Sequence, residues 1–141
     1  MRLVRAGLAF GVTGVLGTAP FVLDSEPRVD ALRALALPAF AAAALVGASC
    51  WGVLCAPGAT RARAAIAGAV FGVGYHIPAV LLAMLSADEW FALSTGAPQV
   101  GGLVGATLFV SFFTLLSYGW LTVALGIATG LLLERFDART R

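Results

Sequence analysis

Apolar positions in this chain run on without alternating and without thinning into a one-sided stripe. Residues 6–23, 34–56, 64–87 and 102–133 form four stretches that contain no Asp, Glu, Lys or Arg. A helix needs about 20 apolar residues to cross roughly 30 Å of hydrocarbon, so the first three stretches have the length of a bilayer span. The fourth would reach roughly 48 Å at about 1.5 Å per residue, so it must tilt, protrude or bend, with Gly119 as a candidate bend. Backbone polar groups in lipid must be satisfied within the segment, and runs this long do so as helices. The fold class expected is therefore an all-α integral membrane protein, a four-transmembrane-helix bundle forming one membrane domain over residues 1–141.

Composition agrees. Hydrophobic residues make up 60% of the 141 positions and charged residues only 11%, where soluble domains carry roughly a quarter charged. Mean hydropathy is +0.96. A soluble core of this size could not hide so much apolar surface from water. All nine basic residues are arginine, a bias that speaks of genome composition more than mechanism. Charges sit at the ends and in the connections. Arg2, Arg5, Arg61, Arg63, Arg135, Arg139 and Arg141 fall on one side of an even-span topology, which the positive-inside rule makes cytoplasmic. Both termini are then cytoplasmic (N-in/C-in) and the expected location is the cell membrane. Arg28 and Arg33 fall on the other side, among Asp24, Glu26 and Asp30. With charges so dispersed, the net +2 gives no nucleic-acid face. A rival reading takes the segment up to about Pro20 as a signal peptide; cleavage would keep the orientation and lower the span count to three.

Helices in lipid associate through close packing, which small residues at four-residue spacing permit. Gly7, Gly11, Gly14 and Thr18 offer such a face on the first span, Ala44, Ala48 and Gly52 on the second, and Ala64, Gly68 and Gly72 on the third. They predict packing within the bundle or between copies of it. The segment Ala6-Gly7-Leu8-Ala9-Phe10-Gly11-Val12 also echoes Ala67-Gly68-Ala69-Val70-Phe71-Gly72-Val73, which suggests a duplicated hairpin or a chance match. The spans concerned would run the same way, so any repeat is parallel, about an axis along the membrane normal.

His76 lies deep within the third stretch, following Gly68 and Gly72 at four-residue steps, which turns its imidazole into the bundle. Pro78 removes a backbone donor and frees the carbonyl of Gly74, so Tyr75, His76 and the Pro78 hinge mark a polar, kinked midplane. An ionisable residue at this depth points to function, since it costs free energy unless partners satisfy it. A neutral imidazole can relay protons, accept a hydrogen bond or ligate iron. The plainer reading is a neutral histidine bonded across to another helix. Partners exist on the fourth span, where Thr107, Ser111, Thr114, Tyr118, Thr122 and Thr129 fall within roughly 80° of one another. Such hydroxyls line a hydrated path, satisfy an imidazole, or bond back to their own helix.

Other chemistry is thin. Cys50 and Cys55, about 140° apart around a helix, suit neither a mutual disulfide nor a metal site with His76. No cofactor is predicted; haem on His76 would need a second axial ligand from another chain. Trp51, Trp90 and Trp120 read as interfacial anchors. No Walker loop, HExxH, Gly-x-Ser-x-Gly or intramembrane carboxylate pair is present, so an enzyme is the least supported class. Two functions are expected instead. One is transport or permeation of a proton, ion or small solute along the polar midplane, with the chain as a homo-oligomer. The other is a non-catalytic subunit or anchor of a larger membrane complex, with His76 as glue or cofactor ligand.

Overall fold

A computed structural model describes residues 1–23, 28–55, 60–86 and 100–139, and the chain is all-helical over them. We number the helices α1 (Arg2–Leu23), α2 (Arg28–Leu54), α3 (Arg61–Gly74), α4 (His76–Ser86) and α5 (Val100–Arg139). α3 and α4 together make one apolar rod, Arg61–Ser86, so four rods are long and apolar enough to cross a membrane. Trp90 and the other residues between α4 and α5 lie outside the described residues.

The third rod starts at a side-chain cap. Thr60 has extended backbone (φ −87°, ψ 161°), and its hydroxyl accepts the Arg63 amide at 3.4 Å, satisfying one of the helix's free N–H groups. The rod is interrupted at Tyr75, three residues before Pro78, whose missing donor leaves the Gly74 carbonyl without its helical partner, whereas α1 and α2 run unbroken through Pro20 and Pro38. Tyr75 keeps right-handed helical angles (φ −74°, ψ −18°), its amide donates to Phe71 O, and Ala79 N donates to its carbonyl, both at 3.0 Å. The helical path therefore continues through this break. In α5, by contrast, helix runs unbroken through Gly119 for 40 residues, about 60 Å at 1.5 Å per residue.

α1 packs chiefly against α2, and α3 against α5; α4 lies between α2 and α5, and α1 also meets α5. The small-residue faces explain the two tight pairs. A Cβ on Gly7 would lie 3.3 Å from Ala44 O, one on Gly11 2.7 Å from the Phe40 ring, and one on Gly14 3.0 Å from Ala39 O. Gly68 faces Gly126 backbone to backbone, and a Cβ on Gly72 would lie 2.6 Å from Val123 Cα. On α2 the Ala44, Ala48 and Gly52 face meets α1, with a Cβ on Gly52 3.2 Å from Leu3, and a second small-residue row lies beside it. Ala44 and Ala48 edge the contact with Gly7, Gly52 is exposed, and the packed centre is Ala39, Ala43, Gly47 and Trp51. α2 has to serve α1, α3 and α4 at once, and Gly47 leaves the hole that Phe10 fills.

Trp51 is thus a correction. It is buried in the core, with its ring 6.4 Å from Phe10, because it lies on that inward face and does not point outward. Trp120 is exposed, but it stands mid-helix in α5 and not at an end. Phe10 and Phe71, matching positions of the sequence echo, are both fully buried and meet with centroids 4.5 Å apart. The two tight pairs thus face each other across equivalent phenylalanines.

Both chain ends share one end of the bundle. Arg2 and Arg5 reach Asp137 at 3.8 and 3.6 Å, and Arg61 reaches Glu134 at 3.9 Å. These exposed arginines hold the first turn of α1, the first turn of α3 and the last turns of α5 beside one another.

Candidate functional site

His76 opens α4 one residue past the hinge and turns its ring inward, where it is 6% exposed. α5 supplies its partners. Thr122 Oγ1 lies 3.0 Å from Nε2, and Thr114 Oγ1 lies 3.4 Å from Nδ1. Ser111 Oγ donates to the His76 carbonyl at 3.4 Å. Thr114 and Thr122 stand two turns apart on one face, so the imidazole spans the interval between them. Tyr118 is half-buried on the same face between them.

The contacts accommodate an Nε2–H tautomer, which we take as the resting form. Thr122 has one hydroxyl proton and two carbonyls at 3.0 Å to receive it, Gly72 O and Gly119 O. With that proton on a carbonyl, its lone pairs accept from the ring, which places a proton on Nε2. Nδ1 is then the acceptor toward Thr114, whose proton can also go to Ser111 O at 3.0 Å. No buried side-chain nitrogen or oxygen among the described residues lacks a partner.

Removing the Thr122 hydroxyl isolates one step of this chain. Thr122→Val keeps the shape and should cost about 1–2 kcal/mol in a denaturant titration in detergent. In ¹⁵N spectra the wild-type imidazole should carry its proton on Nε2; a wild-type Nδ1–H signal would refute the assignment.

The remaining expected residues divide. Thr107 is buried and donates to Met84 Sδ at 3.5 Å, so it faces α4 a turn beyond Ser111. Thr129 meets Thr13 of α1 at 2.7 Å, toward the arginine end. Tyr75 packs its ring on Phe71 (5.2 Å) and His76 (4.6 Å), and a Cβ on Gly17 would lie 2.8 Å from its Oη. Tyr75 is therefore a wall of the site. Thr13 and Gly17 were not singled out from the sequence; Thr13 is the lone hydroxyl between Gly11 and Gly14, and that position was its only signal. The echo also stops short of the site. Thr13, Gly14 and Val15 stand where Gly74, Tyr75 and His76 stand in the second half, so the chemistry belongs to one half.

A haem iron or metal would have to displace Thr122 from Nε2 or Thr114 from Nδ1. Cys50 and Cys55 are half-buried free thiols, and Cys55 lies by Arg63 and Asp137, at the arginine end. Among the described residues no three side chains of the His, Cys, Asp and Glu set gather around one point. No family model matches the chain, and neither a curated protein nor a solved structure matches it.

Proposed function

We propose that this chain is a multi-pass protein of the cell membrane, with both termini cytoplasmic, that carries protons along the α5 hydroxyl face with His76 as the relay. The orientation follows from the arginines. Arg2, Arg5, Arg61, Arg63, Arg135 and Arg139 belong to the end that holds both termini, and arginine marks the cytoplasmic side.

The observation that carries the relay is the placement of both ring nitrogens against hydroxyls that have second acceptors. In the resting tautomer Nε2–H donates to Thr122 and Nδ1 is free to take a proton from the Thr114 side. The imidazolium so formed needs two acceptors, and it has them while Thr114 donates to Ser111 O and Thr122 to Gly72 O. Loss of the Nε2 proton to Thr122, as Thr122 passes its own hydroxyl proton onward, leaves the Nδ1–H tautomer, which must reset by ring rotation for a net transfer, since returning the proton would undo the step. Each step needs only rotation of a hydroxyl or ring. A solute or hydrated ion would need the helices to part, because Gly72 brings the α3 and α5 backbones into contact beside the ring. Among proton, ion and small solute, the proton fits best.

Reconstituted vesicles carrying a pH-sensitive dye and an imposed potential test this. Wild-type protein should conduct protons, and His76→Ala should lower the rate by at least about tenfold. Wild-type vesicles no leakier than protein-free ones would sink the proposal. The alternative, a subunit or anchor of a larger membrane complex, draws on the open start of α5. Among the described residues, a Cβ on Gly101, Gly102 or Gly105 would meet no atom within 4 Å, which leaves room for a partner helix. Co-purification of a second membrane protein at fixed ratio would favour it.

A further inference from the structure

At the arginine end an open cavity of about 330 Å³ lies between α2 and α3, lined by Val53, Leu54, Arg63 and Ile66. Its chemistry is divided. Three walls are aliphatic, two of them largely exposed: Val53 at 79% and Ile66 at 54%. The fourth is Arg63. The ion pairs of this end engage Arg2, Arg5 and Arg61, and they occupy Asp137 and Glu134. Arg63 has no ion pair among the described residues, and its amide is already spent on Thr60.

We infer that this cavity binds an anionic phospholipid, with the phosphate on Arg63 and an acyl chain against Val53, Leu54 and Ile66. A free phosphate would use the cation alone. Exposed Val53 and Ile66 beside Arg63 give an acyl chain tethered to that phosphate an apolar surface to lie on, so the lipid uses both halves. A planar guanidinium pairs with phosphate oxygens through two parallel N–H donors. Basic pockets between helices on the cytoplasmic side are where acidic headgroups collect. The inference rests on the membrane reading above but not on proton conduction.

The full chain is reconstituted in phosphatidylcholine discs with or without phosphatidylglycerol, released into detergent, and weighed intact. Wild type should retain phosphatidylglycerol over phosphatidylcholine. Arg63→Gln should reduce that retention by about fivefold, the effect of one arginine charge at a membrane surface, whereas Arg139→Gln should not. Ile66→Ser, which leaves the charge in place, should also weaken retention. Equal loss in Arg63→Gln and Arg139→Gln would mean general electrostatics and overturn the site, as would unchanged retention in Arg63→Gln. Displacement of the lipid by inorganic phosphate alone would overturn the lipid assignment. Unchanged helical content and melting of each variant shows that folding is intact. A chain that fails to sediment with vesicles would overturn the membrane reading and this site together; one that sediments without lipid preference overturns this site only.

Discussion

Valine at Gly126 is expected to keep the bundle from closing. Gly68 and Gly126 meet so closely that a Cβ on either would run into the other's carbonyl oxygen. The same seam continues at Gly130 against Ala64 O and at Gly72, where a Cβ would lie 2.7 Å from Thr122 O. Backbone atoms in a helix cannot swing aside as a side-chain tip can, so α3 and α5 would have to separate along the whole seam. Overpacking in a well-packed interior costs about 1–3 kcal/mol when side chains can adjust, and more when they cannot. Gly126→Val should therefore fail to purify as a single species, and Gly126→Ala should melt well below wild type in detergent. Gly105→Ala has open space around it among the described residues and should match wild type or exceed it by up to about 1 kcal/mol, since alanine favours helix. Equal melting of Gly126→Ala and Gly105→Ala would show that the backbone contact does not exist.

Truncating Phe10 to alanine should cost nearly as much. The ring is fully buried, tilts against Phe71 at 4.5 Å and Trp51 at 6.4 Å, and fills the space over Gly47. In soluble cores such a change costs about 3–5 kcal/mol from lost transfer energy plus a cavity. Lipid is as apolar as the core, so the transfer part shrinks and lost contacts dominate, leaving about 2–3 kcal/mol in a detergent unfolding titration. The site offers its own control. A Cβ on Gly47 would overlap Phe10, so Gly47→Leu alone should destabilise, whereas Phe10→Ala with Gly47→Leu should recover part of the loss. Strict additivity of the two changes would place Phe10 elsewhere.

Much of this architecture is legible in the residues because lipid-length apolar runs admit few alternatives. Helix boundaries are less so. α2 begins at Arg28 and α5 continues to Arg139, beyond the apolar stretches; in α5 the helix propagates through good formers such as Glu134 and Arg135, with Glu134 ion-paired to Arg61. Faces with regular glycine spacing on α1 and α3 read correctly. Their counterparts Gly47, Gly126 and Gly130 did not stand out, since periodicity within one helix says nothing of which neighbour will need room. Trp51 misreads as an anchor for the same reason. The pairing of His76 with a hydroxyl face is visible in the pattern, because a lone imidazole must find partners. Which two of those hydroxyls take which ring nitrogen depends on rotation and depth of α5 against α4, and only coordinates fix that.

The hydrogen bonds of His76 also set an order on biosynthesis. Thr122 is made 46 positions after the histidine it satisfies, about 2–9 s later at ribosomal speeds of about 5–20 residues per second. Asp137, which ties down Arg2 and Arg5, comes later still. On the membrane reading proposed above, the nascent chain would hold an imidazole in the bilayer with no hydroxyl face to meet it until α5 emerges, and that interval is when an insertase or a chaperone would find it.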